Sequence, residues 1–262
     1  MGLKKLGLAL GSGGSRGVAH IGFIKALEEE GVFPDYITGT SMGAIVGGAY
    51  AAGVHIETIK DVVLNLRVFD LISLGGRRGG VSGTKKVREL LLKHLGDITF
   101  EDLKIPFRSL AVDMKSQQLV EFSKGSVVDA MIASASLPFV FHPYEKDGMR
   151  LIDGGVLERV PVEQVKKMGA DIVVGVDVLG QRACSEDCPN VLKILLETID
   201  IMDNYRTRRR REDNEGIIDF WLEPDLGNMS QYEVKQLSFA YEKGYEIGRE
   251  NAKKIKKALM GK

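Results

Sequence analysis

The stretch YITGTSMGAIVGGAYAA, residues 36–52, changes character at a single serine. Tyr36-Ile37-Thr38 is an aromatic and β-branched run of strand type, while Met42 to Ala52 opens a helix at once, which leaves Ser41 on the corner between them. A strand that turns sharply into a helix is the unit from which parallel α/β sheets are built. Working outward, short apolar runs predict further strands at Leu6–Leu10, Arg108–Asp113, Leu119–Ser123, Arg150–Ile152, Ile172–Asp177 and Ile217–Leu222. Amphipathic stretches between them predict helices at Val18–Glu30, Ile56–Leu66, Lys85–Leu95, Ser126–Ser134, Val162–Met168, Val191–Arg210 and Gln231–Leu259. The alternation predicts a three-layer α/β/α fold with a mostly parallel central sheet. We expect one domain over 1–262, with the C-terminal helices of 191–262 packing on the rest.

Composition narrows the class. The chain has 262 residues, 44% of them hydrophobic, with 36 basic and 36 acidic side chains and two cysteines. These figures exclude a disordered chain, a disulfide-stapled module and a collagen-like fibre, and the absence of a basic excess argues against a nucleic-acid partner. Lys4 and Lys5 before Leu6–Leu10 copy the order of an export signal, but the apolar run is short and ends in a glycine-rich loop. The expected compartment is therefore the cytoplasm, with peripheral membrane contact left open. Cys184 and Cys188 stand without a second Cys or His pair, so no metal is expected there. Five glycines with Arg77 and Arg78 between Ser73 and Gly83 read as a surface loop, either a connector or a lid; the glycine-rich part is Gly75–Gly83. Arg206–Arg211 contains five arginines at the end of a long helix, either a solvated end that suits the helix dipole or a patch for anionic lipid.

The pattern Gly-x-Ser-x-Gly places a serine on a tight strand-to-helix turn. It occurs twice, at Gly39-Thr40-Ser41-Met42-Gly43 and at Gly13-Gly14-Ser15-Arg16-Gly17, so the pattern alone identifies nothing. Ser41 is either an exposed nucleophile or a helix cap. The loop Gly11–Gly17 offers several backbone N–H groups to an anion; Arg16 breaks both the phosphate-loop and the dinucleotide patterns, which leaves an oxyanion hole. His20, His55, His94 and His142 are the only histidines, and the late histidine of α/β-hydrolases is missing. A carboxylate is then the next candidate base. Asp153, before Gly154-Gly155, is either a turn residue or a strand-end base whose pKa burial must raise.

Together, Gly11–Gly17, Gly39–Gly43 and Asp153-Gly154-Gly155 resemble the patatin-like phospholipase family in order, spacing and flanking residues, over roughly residues 5 to 180. The likeness is nearest to short bacterial members and to the catalytic domain of neuropathy target esterase. Ala133-Ser134-Ala135-Ser136-Leu137-Pro138 is similar to that family's small-residue segment. The resemblance implies a patatin-like α/β/α hydrolase in which Ser41 is the nucleophile and Asp153 the base. Gly13 and Gly14 would donate to the oxyanion, Arg16 would support that loop, and Gly39 and Gly43 would shape the elbow. Acyl transfer from a lipid or carboxylic ester to Ser41, then hydrolysis, needs no metal or cofactor. The alternative is a catalytically weak lipid-binding or regulatory protein on the same fold. Glu158 and Arg159 stand where many members carry asparagine, a departure expected to bear either on how Asp153 is held or on which substrates are tolerated. Phe69–Val81 and Leu137–Phe141 are expected near the acyl pocket.

Overall fold

The computed structural model describes residues 4–65, 84–138, 140–180, 191–232 and 234–261. Eight strands form one mixed sheet: β1 (Leu6–Leu10), β2 (Tyr36–Thr40), β3 (Phe107–Asp113), β4 (Gln118–Phe122), β5 (Tyr144–Lys146), β6 (Met149–Asp153), β7 (Ile172–Val176) and β8 (Phe220–Leu222). Their order is β5-β6-β3-β2-β1-β7-β8, with β4 paired to β3. The segment β3-β2-β1-β7-β8 is parallel throughout, whereas β4, β5 and β6 add antiparallel pairings. The helices are α1 (Ala19–Glu29), α2 (Met42–Ala51), α3 (Ile56–Leu64), α4 (Lys85–Leu95), α5 (Val127–Ser134), α6 (Val162–Lys167), α7 (Val191–Asp213) and α8 (Leu237–Leu259).

Side-chain alternation along β1 divides the core. Leu6, Leu8 and Leu10 join Ile37, Val174 and Val176 beneath α1, α2 and α8, while Ala9 and Val173 pack on the other face against Val162 and Val165 of α6. Both faces are thus covered, as parallel strands buried on two sides require.

The register around β3 positions the site. Residues 107–110 of β3 pair with β2, and Ala111–Asp113 pair with β6. β4 pairs with Ser109–Asp113, and therefore takes the opposite edge. The last residue of β2, Thr40, sits opposite Leu110, and the last residue of β6, Asp153, sits opposite Ala111. Two strands running in opposite directions thus end on adjacent residues of a third, which brings Ser41, the residue after β2, close to Asp153.

Two expectations need correcting. Tyr144–Lys146 is a strand that the sequence pattern does not reveal, since its two charged residues hide the alternation; it pairs with β6 through the Asp147-Gly148 turn, where both residues have positive φ. The last helix begins at Leu237, not at Gln231. The Gln231 carbonyl accepts the Ser15 N–H, and the segment before α8 wraps the glycine loop instead of coiling. The expectations for Gly75–Gly83, Phe69–Val81, Cys184 and Cys188 lie outside the described residues.

Candidate active site

Ser41 stands between β2 and α2 with φ 56° and ψ −121°, a strained conformation for a residue with a side chain. Its hydroxyl makes no cap bond to α2, so the capping alternative does not describe it. Tertiary contacts hold the strain. The Ser41 N–H donates to Ser134 Oγ at 2.8 Å, and its carbonyl accepts from Ala44 and Ile45 at 2.9 and 3.1 Å. The two elbow glycines are close-approach positions. A Cβ on Gly43 would lie 2.1 Å from the Leu10 carbonyl oxygen, and one on Gly39 would lie 2.5 Å from the Gly43 carbonyl oxygen.

Asp153 is 2% exposed at the end of β6. Its Oδ1 accepts the Gly155 N–H at 2.8 Å, and its own N–H donates to the Ser136 carbonyl at 3.0 Å. The segment Ala133 to Pro138 therefore grips both candidate residues, Ser134 through the Ser41 N–H and Ser136 through the Asp153 N–H. Burial pushes the Asp153 carboxyl up to about 6; an interaction with the Ser41 side chain and the Gly155 N–H oppose the rise, and the Asp203 charge adds to it. Oδ2 has no hydrogen-bond partner within bonding distance among the described residues. The Ser41 hydroxyl thus influences the carboxylate from a longer approach than a formed bond, as is common before substrate binds.

The glycine loop faces this pair. Ser12 N–H donates to the Arg159 carbonyl, Ser15 N–H to Gln231 and Arg16 N–H to Gly13, whereas the N–H groups of Gly13 and Gly14 donate to no acceptor among the described residues. Arg16 does not point into the site. It is 4% exposed, and its guanidinium donates to the carbonyls of Val178, Leu179, Gly227 and Met229 at 2.6–3.2 Å, clamping the loop from behind. Ser15 donates its hydroxyl to the Ser230 carbonyl at 3.0 Å.

His20 is fully buried, its Nε2 is 2.8 Å from the Gly11 carbonyl, and desolvation lowers its pKa to about 4. His55, His94 and His142 are exposed.

Ser41 lines a cavity of about 400 Å³, together with Gly14, Ser15 and Met42. Its walls are Ile45, Ile59, Val63, Leu91, Ile132 and other apolar side chains, including Leu137, Val140 and Phe141 from the segment expected near the acyl pocket.

Glu158 and Arg206 behave differently from their sequence-level readings, whereas Arg208–Arg211 form the solvated helix end that was one of the two expectations. Glu158 is 4% exposed, raised by burial to about 7, and its ion-pair partner is Arg210 at 3.6 Å, not a group at Asp153. Arg206 bonds the Gly155 carbonyl and pairs with Asp203, Arg209 pairs with Glu212, and Arg211 pairs with Glu223 beside the Trp221 ring. α7 half-buries Asp203 and Arg206 and leaves Arg208–Arg211 exposed. Its outward side exposes Val191, Ile194, Leu195, Ile199, Ile201, Met202 and Tyr205. Sequence reasoning missed Ser134, Ser136, Asp203 and Arg206 as site neighbours. Only the small-residue segment carried a signal for the first two.

The fold class is that of the patatin-like α/β hydrolases. VipD from Legionella pneumophila has a TM-score of 0.68 at 16% identity, covering 97% of this chain and 67% of that one. The type III effector protein ExoU has a TM-score of 0.53 at 14% identity, covering 97% and 53%. The patatin-like phospholipase family profile matches residues 8–166, more than half of the chain, and the chain belongs to that family. It is 35% identical over 182 residues to an uncharacterized NTE family protein of Mycobacterium tuberculosis H37Rv, covering 68% of this chain and 50% of the relative. It is 33% identical over 181 residues to lysophospholipase nte1 of Emericella nidulans, covering 67% and 12%. The chain thus spans half the length of the mycobacterial relative and a small part of the fungal one. No described helix is long and apolar enough to cross a membrane.

Proposed function

We propose that the protein is a serine acyl hydrolase of lysophospholipase or carboxylesterase type that works through a Ser41–Asp153 dyad. The observation that supports it most directly is Ser41, strained and uncapped on the wall of an apolar cavity, beside a buried carboxyl whose pKa lies near neutrality. As the Ser41 Oγ attacks the ester carbonyl, Asp153 takes its proton and returns it to the departing alcohol. The negative oxygen of the tetrahedral intermediate is met by the Gly13 and Gly14 N–H groups, each worth roughly 3 kcal/mol at the transition state. Water, deprotonated by Asp153, then attacks the acyl-enzyme and frees Ser41. Arg16 holds the donor loop and contributes no donor of its own.

A cavity of about 400 Å³ with mostly apolar walls takes hydrocarbon in preference to a charged headgroup. That suits one acyl chain of a monoacyl lipid, in keeping with the names of the fungal relatives. In this reading a lipid surface meets the exposed apolar side chains Ile194, Leu195, Ile199, Ile201, Met202 and Tyr205 of α7, with the exposed Arg208 further along the same helix. The test is intact-mass detection of a fluorophosphonate adduct. One adduct, lost in Ser41→Ala and kept in Ser15→Ala, is expected; no adduct on the folded protein would turn the reading to the weakly catalytic lipid-binding alternative.

A further inference from the structure

The base loop contains Asp153-Gly154-Gly155, and its second glycine has a physical reason. A Cβ on Gly155 would lie 2.7 Å from Ser12 Oγ and 3.0 Å from Asp153 Oδ1, so the loop cannot carry a side chain there. Glycine solves the packing but costs stiffness, because its two backbone torsions are the least restricted of any residue. The Gly155 N–H is also the group that holds Asp153 Oδ1 at 2.8 Å. Freedom at Gly155 is therefore freedom of the base.

On the far side of the Gly155 Cα, the Gly155 carbonyl accepts a hydrogen bond from Arg206 Nη2 at 2.8 Å. Arg206 is ion-paired one helical turn away with Asp203, whose other oxygen lies 3.0 Å from Arg159 Nε. Arg159 is almost wholly buried; it reaches Asp177 at 3.4 Å and donates to Asn204 at 2.6 Å. A continuous line of charges thus ties α7 to the loop that carries the base.

We propose that Arg206 and Asp203 of α7 are positioning residues for Asp153, Arg206 by pinning the flexible Gly155 from behind and Asp203 by holding Arg206 in place. This rests on the reading of Asp153 as the base. The other charged groups packed around the loop are already paired: Arg159 with Asp177 from the end of β7, and Glu158 with Arg210. The Asp203 charge raises Asp153, whereas the Gly155 N–H, on the residue that Arg206 pins, opposes the rise. Removing each partner therefore has an opposite effect on the base, which a merely structural role would not produce.

The experiment measures kcat/KM against pH for a soluble short-chain nitrophenyl ester, with thermal denaturation of each variant. Asp203→Asn is expected to move the acid limb down by roughly half a pH unit or more. Arg206→Gln is expected to move it up and lower kcat about tenfold, and Arg206→Lys, which keeps the charge, to return the limb towards wild type. Limbs of folded Asp203→Asn and Arg206→Gln that superimpose on wild type, or that move together, overturn the proposal. If Arg206→Gln does not fold, an unmoved limb in Asp203→Asn overturns it by itself. Asp153→Asn separates the two readings: full activity there removes the base, whereas inactivity with unmoved limbs removes only the positioning role.

Discussion

Ser15 and Ser41 each lie between glycines two residues away, yet Ser15 sits inside a 3-10 turn with its hydroxyl donated to Ser230, while Ser41 sits strained at a strand-to-helix corner with its hydroxyl left for the cavity. The difference lies in what each loop is pressed against. The Ser41 loop lies on the backbone of β1, where Gly43 meets the Leu10 carbonyl, and it shares an edge of β3 with the end of β6. The Ser15 loop lies against Val178 and the segment before α8, whose carbonyls use up its hydroxyl and N–H. The same five-residue pattern thus yields a strained, uncapped corner in one place and a hydrogen-bonded loop in the other.

The largest expected contrast is between the two serines themselves. Ser41→Ala should lower esterase kcat roughly a thousandfold or more, as loss of one member of a coupled nucleophile–base pair does, whereas Ser15→Ala should change it only a few-fold. A steady-state assay of the two proteins side by side breaks the comparison if their losses are similar.

Asp153 extends the contrast to stability. Its folded-state pKa, about 6, lies above its ordinary value of 3.8, so the fold prefers the protonated form and loses stability as pH rises from about 4 through 6. Asp153→Asn should therefore be inactive yet more stable at pH 8, by on the order of 2 kcal/mol, while kcat/KM of the wild type should fall below about pH 6. Denaturant melts at pH 4 and pH 8 check the sign: the gain should vanish at the lower pH.

The glycines sharpen the point with a smaller effect. Gly43→Ala forces a methyl into backbone and should cost about 3 kcal/mol, whereas Gly13→Ala meets only a Val178 methyl at 2.3 Å and should cost less. Equal melting temperatures would contradict that ordering.

Acyl-chain dependence gives the gentlest test. Each methylene entering the cavity is worth about 0.8 kcal/mol at most, so kcat/KM should rise up to roughly fourfold per carbon and level off once the cavity is filled. A flat series from short to long chains would remove the cavity from substrate binding.

Much of this was legible in the sequence because the relevant signals are local. Alternating apolar runs foreshadowed seven of the eight strands, and the residues around Ser41 already distinguished its corner from the Ser15 loop. Distance in the chain hid the rest. Ser134 and Ser136 read as small residues near a proline, and only folding turns one to the Ser41 N–H and the other's carbonyl to the Asp153 N–H. Arg206 read as one of a basic cluster facing solvent or lipid, but it reaches the Gly155 carbonyl 51 positions away. Glu158, adjacent to the base loop in sequence, turns aside to Arg210.

The sequence by itself determined the α/β alternation and which residues are chemically able to act, because periodicity, glycine spacing and side-chain chemistry are properties of short segments. The tertiary structure alone decided that β2 and β6 end on adjacent residues of β3, that burial raises Asp153 and lowers His20, and that Arg206 turns inward to the Gly155 carbonyl, because register and desolvation depend on neighbours that the chain order does not specify.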